Sequence, residues 1–394
     1  MSQLHEFRAE TRNWLAANCP PGARGPGQIP WGSRRIKLDA DSRLWLERMA
    51  ERGWTVPTWP RSYGGAELSR DEYTVLIEEL KRIDARPPLT GRGVNYIGPT
   101  LLELGDDRQK ARWLPGIARG DGGWAMGYSE PGAGSDLASL HTRAVLAGDH
   151  YRINGRKTWT SDAMDCDFIF VLARTDPSRP KHEGISLLLV DMHQPGVRVR
   201  PIRLLSGASP FNETLFEDAI ARADDVVGGV NNGWTVGKRL LQFERSTHAG
   251  INISGSQGGR SEESGMPACA RHYAGSDSGR LTDPLLRDRL IRYEMQGLAQ
   301  RLTQRRAIEE LRSRAPGYTS SAVKLSGALL TQEGDELRLA LAGTRGIGWT
   351  GDGFDSDELS ATRTWLRQKS LTIAGGTKEI QLNIIAKRVL GLPD

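Results

Sequence analysis

The hydrophobic period changes twice along this 394-residue chain, and these changes restrict its fold more than any other feature. Up to Gly120, apolar residues recur at helical spacing. After Gly120, short alternating or continuous apolar runs are bounded by turn residues, as in 142–153 around a Gly148-Asp149 turn, which predicts strands. From Gly233 onward the helical spacing returns, with predicted helices over 234–253, 283–311, 318–342 and 358–373. The sequence therefore predicts a multidomain α+β protein with an all-β insert between two helical regions.

Composition excludes several classes of protein. An apolar fraction of 38% with 26% charged residues is that of an ordinary folded chain. The first ten residues carry charges where a signal peptide needs an apolar core, and no later run has the length of a membrane span, so we expect a cytoplasmic protein. Three cysteines, far apart and odd in number, and seven scattered histidines indicate neither a disulfide framework nor a metal site.

The chain is basic, with a formal charge of +5 and a pI near 9.1. Its basic clusters, at 34–37 and 301–306, are short, and no aromatic-interleaved RNA motif accompanies them. The second cluster has the spacing of a solvated helix face. Nucleic-acid binding is therefore disfavoured, and a small polyanionic ligand is the functional alternative.

One loop carries the clearest chemical pattern. The segment MGYSEPGAGSD at 126–136 combines a proline, three glycines and two serines, and Trp159-Thr160-Ser161 follows about two dozen residues later. Glycines let a ligand approach backbone N–H groups, and serines add short hydroxyl donors. The two clusters can together seat a flavin, whereas the loop alone would also fit a tight surface turn.

Three blocks make the chain resemble the acyl-CoA dehydrogenase family over nearly its whole length. They are the segment from Tyr128 to Thr175, the segment GWTVPTWPRSYGGAELS from Gly53 to Ser69, and the tail IAGGTKEIQLNIIAKRVLGLP from Ile373 to Pro393. The resemblance implies an N-terminal helical domain (1–121), a middle β-barrel or β-sandwich domain (122–228) and a C-terminal four-helix bundle (229–394). It also implies FAD, bound between the last two domains.

Desaturation of a thioester requires a base that removes the α-proton, together with donors that polarise the carbonyl. In most of the family the base is a glutamate before Gly-Thr in the tail, where this chain has Gly375. The isovaleryl-type branch instead carries a glutamate before an arginine on the first C-terminal helix, where this chain has Glu244-Arg245. We therefore expect Glu244 to be the base, the alternative being an inert surface ion pair.

The resemblance also assigns the remaining site residues. It places Tyr128, Ser129, Gly134, Ser135, Trp159, Thr160 and Ser161 around the flavin and pyrophosphate, and Thr377 and Glu379 near the adenosine half of FAD. It places Ser135, Arg245, Gly375 and Gly376 on the substrate side, with the Gly375 backbone N–H as a donor to the thioester oxygen. No metal is expected.

The sequence departs from the family where neighbouring subunits usually contact FAD. The Arg-x-x-Phe-Gly motif is absent, and the corresponding segments read 283-DPLLRDRL-290 and 340-ALAGT-344. Relatives without these contacts include mixed tetramers, so either a homo- or a hetero-oligomer fits.

Three functions follow. The first is an acyl-CoA dehydrogenase that passes electrons to an electron-transfer flavoprotein. The alternatives are a flavin monooxygenase or oxidase of the same fold and a partner subunit that completes another chain's site. Acyl length, branching, steroid or aromatic character, and coenzyme A against a carrier protein remain open.

Overall fold

A computed structural model describes residues 2–248, 265–312 and 318–393. Within them the predicted order of helical, β and helical regions is confirmed. The helices are α1 (Ser2–Asn18), α2 (Ala40–Glu51), α3 (Arg70–Arg82), α4 (Gly98–Leu104), α5 (Asp107–Arg119), α6 (Gly233–His248), α7 (Met266–Tyr273), α8 (Pro284–Arg312), α9 (Thr319–Ala342), α10 (Ser356–Gln368) and α11 (Lys378–Ile384). The strands are β1 (Trp124–Gly127), β2 (Arg143–Ala147), β3 (His150–Ser161), β4 (Phe168–Arg174), β5 (Ile185–Asp191), β6 (Val197–Ile202), β7 (Phe211–Arg222), β8 (Val226–Val227), β9 (Ser276–Asp277) and β10 (Arg280–Leu281).

The chain divides into two compact units. Described residues of the first unit are 2–202 and 210–248, which hold α1 to α6 and β1 to β8. Those of the second are 203–209, 265–312 and 318–393, which hold the remaining helices and the hairpin of β9 and β10. Helix α6 thus belongs to the same compact unit as the sheet, although the predicted boundary at 228 separates them.

Helix α3 shows why the N-terminal segments fold as predicted. Ser69 and Glu72 form a capping box that satisfies backbone donors at its first turn. The buried positions include Leu76 and Glu79. The Glu79 side chain is 2% exposed and contacts the guanidinium groups of Arg12, at 2.9 Å, and of Arg8 and Arg82. These contacts hold the pKa of Glu79 down at about 2, through its hydrogen bond with Arg12 above all, although burial opposes the shift.

The middle region is one eight-stranded sheet in the order β6-β7-β3-β2-β4-β5-β8, with β1 beside β4. The predicted turn at Gly148-Asp149 is confirmed, because Ala147 pairs with His150 across it and Gly148 has a φ of +68°. Among the described strands β6 and β8 lie at open ends of this path, so the pairings do not close the barrel that was one of the two predicted forms. β4 and β5 are buried along nearly their whole length, which explains their continuous apolar sequences.

An apolar cluster joins this sheet to the helices of the first unit. It includes Leu101 of α4, Leu114 of α5, Leu172 of β4, Leu187 of β5 and Leu240 of α6. The cluster fixes the face of α6 that turns toward the sheet.

Within the described residues the C-terminal helices form close to the predicted ranges, except that α10 ends at Gln368 and a tighter turn follows over 369–372. Residues 249–253 of the first predicted helix lie outside the described residues. Residues 255–279 are rich in glycine and serine, which favours a loop or an irregular helix end. Their described part nevertheless holds α7 and the β9–β10 hairpin. Residues 255–264 of that stretch lie outside the described residues. No helix within the described ranges has the length and apolarity to cross a bilayer.

Candidate functional site

A buried ion pair anchors the loop that follows β1. Lys157 on β3 places its Nζ 2.8 Å from Oε1 of Glu130, and the two side chains are 0% and 7% exposed. The same Nζ donates to the Tyr128 carbonyl at 3.0 Å. Glu130 also accepts the backbone N–H groups of His141 and Thr142, at 2.7 and 2.9 Å. The loop is therefore tied to β3 and to the segment before β2 by four polar contacts.

Lys157 and Glu130 shift each other's pKa values. Burial would raise the pKa of Glu130, but the Lys157 charge and the N–H donors lower it below its usual value. Burial lowers the pKa of Lys157 to about 8, against the opposing effect of Glu130. Because both groups are almost wholly removed from water, each depends on the other for its charge.

The outer part of the loop leaves space around its glycines. Glu130 and Ala133 exchange backbone hydrogen bonds of 3.0 and 3.1 Å across a tight turn. A Cβ placed on Gly132 or Gly134 would meet nothing within 4 Å, and neither residue has a left-handed φ. Backbone geometry and internal packing both tolerate a side chain at these two positions. We therefore interpret the two glycines as leaving room for a ligand that approaches from outside.

A bulge in the sheet presents Trp159 beside this loop. The pairing of β3 with β7 shifts between Lys157 and Thr160, so both of these residues are buried although they are not an even number apart. Trp159 between them has a φ of +60° and is 54% exposed. Its ring meets Phe211 edge-on at 5.9 Å, which leaves an indole surface open.

The hydroxyls near Trp159 differ in their surroundings. Thr160 is fully buried, and its Oγ1 donates to the Asn212 carbonyl at 2.7 Å and contacts the Thr214 hydroxyl at 2.8 Å. Its side chain thus has a role within the sheet. Ser129 and Ser161 are half-buried, and Ser135 is exposed. The Ser129 carbonyl accepts the Thr158 N–H at 2.8 Å, which aligns the loop along β3.

Helix α6, which carries Glu244, lies next to the first residue of this loop. Gly237 lies against Tyr128, whose hydroxyl is 3.5 Å from the Gly237 carbonyl. Glu244 is two helical turns further along and therefore on the same face. The structure brings its carboxylate close enough to two tyrosines to influence them. Burial raises the pKa of Tyr96 to about 12 and that of Tyr128 well above its usual value, and the Glu244 charge raises both further.

The half-buried Glu244 thus lies within electrostatic reach of the buried Tyr128 and the half-buried Tyr96. Arg245 follows it on α6, but its side chain lies outside the described residues. Arg239, one turn earlier than Phe243, stacks over that ring at 4.5 Å and forms a two-oxygen contact with Glu103 at 2.8 and 2.9 Å. The contact with Glu103 holds α6 against α4.

The tail residues belong to the second unit. Gly375 and Gly376 form a turn with φ angles of +66° and +92°, which favour glycine. Thr377 caps α11 by accepting the Ile380 N–H at 3.3 Å, and Glu379 is exposed in the first turn of that helix. Lys324 of α9 donates to the Leu371 carbonyl at 2.7 Å just before the turn.

The sequence interpretation missed Lys157 and Tyr96. A signal existed for Lys157, since Tyr151 and Ile153 alternate toward the core of β3 and Lys157 continues their phase. No local pattern marks Tyr96, because its position depends on how 93–97 packs near α6. Within the described residues no cluster of three or more His, Cys, Asp or Glu side chains could hold a metal ion.

Comparison with known proteins agrees with this arrangement. The acyl-CoA dehydrogenase N-terminal domain matches residues 2–121, the middle domain 125–219 and the C-terminal domain 231–390. The chain therefore belongs to the acyl-CoA dehydrogenase family, whose members are flavin-dependent oxidoreductases of lipid metabolism. The resemblance, the fold class and the enzyme class predicted from the sequence are thereby confirmed.

Among its relatives is acyl-CoA dehydrogenase IpdE1 of Mycobacterium tuberculosis, 39% identical over 400 residues that cover 100% of this chain and 99% of the relative. A solved structure described as the Tcur3481-Tcur3483 steroid ACAD is 30% identical, with a TM-score of 0.75 and coverage of 100% and 98% of the two chains. The ChsE4-ChsE5 complex from Mycobacterium tuberculosis is 29% identical, with a TM-score of 0.72 and the same coverage.

Proposed function

We propose that this chain is an FAD-dependent acyl-CoA dehydrogenase that introduces a double bond between Cα and Cβ of an acyl-CoA thioester, with Glu244 as the base. The observation that carries the proposal is a half-buried carboxylate on α6 whose charge raises the pKa of Tyr96 and of Tyr128, the residue at which the loop with room for a ligand begins. A carboxylate in a dry environment is a better base than one in water.

The described residues of the first unit suit the isoalloxazine part of FAD. The exposed indole of Trp159 offers a flat surface for an aromatic ring, and Ser129 and Ser161 offer hydroxyls to its polar edge. Gly134 and Ser135 suit a phosphate that approaches the loop backbone. We assign Thr377 and Glu379 of the second unit to the adenosine half. Bound FAD would supply the acceptor for the hydride that leaves Cβ.

The chain's own residues then have separate tasks. Glu244 takes the α-proton, so that its O–H bond forms as the Cα–H bond breaks. The Gly375 N–H polarises the thioester carbonyl, a role for which a side chain is unnecessary. The Lys157–Glu130 pair holds the loop in place. Ser135, Arg245 and Gly376 complete the substrate contacts in this proposal.

We further propose a bulky, steroid-like acyl group, an electron-transfer flavoprotein as acceptor and a homologous partner chain. The similarity to a steroid ACAD and to a two-component complex supports the substrate class and the partner. Gly375 supports the bulky substrate as well, because it removes the side chain that most of the family places there.

The test isolates the proton step. A thioester with sulphur in place of Cβ can lose its α-proton but cannot transfer hydride, so exchange of the α-hydrogen with deuterated solvent reports the base alone. Glu244→Gln should slow this exchange by about 10²–10⁴-fold while flavin remains bound. Glu47→Gln, which removes an exposed carboxylate from α2, is the control and should exchange normally.

A second measurement addresses substrate class. Anaerobic addition of a steroidal acyl-CoA should bleach the flavin spectrum faster than a short straight-chain thioester does.

Equal rates of α-hydrogen exchange in Glu244→Gln and the natural chain would refute the assignment of Glu244 as the base. A purified chain without flavin that gains it only with a homologous partner would instead support the partner-subunit function, which the two-component neighbours favour.

A further inference from the structure

The first unit contains a cavity of about 550 Å³ between α5 and the sheet. Its lining residues come from α5, from the ends of β5 and β7, from the start of β4, and from the connecting segments at Arg34 and at 121–122. In the described part of the chain, this lining includes none of the residues assigned to the proposed reaction. A cavity of this volume is large enough for a small-molecule ligand.

Three aromatic rings give the cavity an apolar surface. Trp113 of α5 forms edge contacts with Trp124 at 5.2 Å and with Phe168 at 5.1 Å. The Trp113 Nε1 donates to Asp225 at 2.8 Å, which fixes the orientation of the indole. Trp113 and Phe168 are half-buried, so part of each ring remains accessible. Flat rings of a ligand can stack on such a surface.

Four exposed arginines line the same cavity. Three of them, which we call the rim arginines, form ion pairs with aspartates and are Arg112, Arg119 and Arg222. The fourth is Arg34. Because the lining holds three carboxylates against four guanidinium groups, it carries one positive charge in excess. Guanidinium groups bind phosphate oxygens two at a time, so the cavity suits an anion.

Arg34 has the most capacity to bind a ligand. Its Nε donates to the Asp121 carbonyl, and its guanidinium lies over the Phe168 ring at 5.6 Å from the centroid. Within the described residues this guanidinium has no carboxylate partner, in contrast to the rim arginines. Arg34 begins the short basic cluster at 34–37, which the proposed reaction does not use.

Helix α5 also offers a backbone acceptor and open space. Pro115 lies inside this helix and has no N–H, so the carbonyl of Ala111 lacks its usual partner four residues later. Both residues line the cavity. A Cβ on the adjacent Gly116 would meet Asp121 only at 3.9 Å. A free carbonyl beside this space can accept the amino group of a nucleobase.

We propose that this cavity binds a nucleoside diphosphate, with its base against Trp113 and Phe168 and its phosphates at Arg34 and the rim arginines. An apolar ring alone would leave the arginines unused, and a simple anion would leave the aromatic surface unused. The ion pairs of the rim arginines are exposed and contribute little, so phosphate oxygens can share these guanidinium groups. The proposal does not depend on the proposed function, because it uses other residues.

Calorimetric titration of the purified full chain with ADP tests the site. Arg34→Met should raise the dissociation constant for ADP by at least about tenfold, because it removes a charge-assisted contact. Lys37→Met is the matched control, since it removes an exposed cation of the same segment that does not line the cavity, and it should bind ADP normally. A natural chain that binds no ADP, or equal affinity of Arg34→Met and the natural chain, would overturn the proposal.

Filling the cavity gives a test that does not risk misfolding. Gly116→Leu adds a side chain in open space and replaces a poor helix former, so the free energy of unfolding should not fall. ADP binding should still weaken by at least about tenfold. Ala9→Leu on the exposed surface of α1 is the control and should bind ADP normally. Normal binding by Gly116→Leu would show that ADP binds elsewhere on the chain, and the cavity would lose its assignment.

The two halves of ADP test the class of ligand. Adenosine lacks the phosphates and inorganic pyrophosphate lacks the base. Each should bind the natural chain at least about tenfold more weakly than ADP does, because each uses part of the lining. Pyrophosphate that binds as tightly as ADP would mean that the aromatic rings take no part, which would contradict a site for nucleoside diphosphates.

Discussion

Two glycine-containing segments, the loop 128–136 and the tail turn 373–377, are assigned to the same proposed chemistry, but they hold their shape by different means. The loop is anchored by Lys157, whose buried amine contacts both the Tyr128 carbonyl and Glu130. The tail turn depends on the left-handed backbone of Gly375 and Gly376 and on the cap that Thr377 provides. The loop is thus fixed by a tertiary interaction, and the turn by local backbone conformation.

The largest expected effect comes from removing the anchor. Lys157→Met would leave Glu130 buried without its cation, which should lower the free energy of unfolding by about 3–5 kcal/mol. Arg156→Met is the matched control, since Arg156 is half exposed and its contact with Glu213 is 3.3 Å, so we expect a loss of under about 1 kcal/mol. Urea unfolding followed by tryptophan fluorescence measures both. Equal effects would show that the loop does not depend on the pair.

The same pair predicts a dependence on acid. Because the pKa of Glu130 is lower in the folded chain than its usual 4.5, its stabilising contribution is complete above pH 4.5 and is lost as the pH falls below that value. The difference in unfolding free energy between the natural chain and Glu130→Gln should therefore shrink as the pH is lowered from 6 toward about 3. A difference that stays constant over this range would mean that the pKa of Glu130 is the same in the folded and the unfolded chain.

The tail turn should respond to backbone strain alone. Gly375→Ala places a Cβ where the nearest atom, Cε of Lys324, is 3.8 Å away, so no clash occurs. The left-handed φ should nevertheless cost about 1–2 kcal/mol. Gly353→Ala in the same unit is the control, because that glycine has open space and no left-handed φ. Thermal unfolding of the two variants separates the backbone cost from the presence of a methyl group.

The difference between the two segments also explains what the sequence could predict. The glycines and serines of the loop were recognised because they are adjacent in the chain. The Lys157–Glu130 ion pair was missed because the two residues are far apart in the chain and meet only when β3 packs against the loop. The exposure of Trp159 was not predictable either, because it depends on a bulge in the pairing of β3 with β7. Helix α7 was missed for the same kind of reason. Its glycine- and serine-rich surroundings favour a loop, whereas Ala270 is buried against a cluster that includes Leu337 and Leu341 of α9.

The smallest effect on stability should come from the outer part of the loop, and it distinguishes a ligand site from a turn. Gly134→Ala meets no atom within 4 Å and requires no left-handed φ, so we expect a change in unfolding free energy within about 0.5 kcal/mol. If the glycine provides room for FAD, the methyl group should still weaken flavin binding by about tenfold, a free-energy change of about 1.4 kcal/mol. Fluorescence titration of the apoprotein with FAD measures this, with Gly353→Ala as the control that should bind normally. Unchanged affinity in Gly134→Ala would mean that the open space above the loop is ordinary surface and that the cofactor approaches the first unit elsewhere.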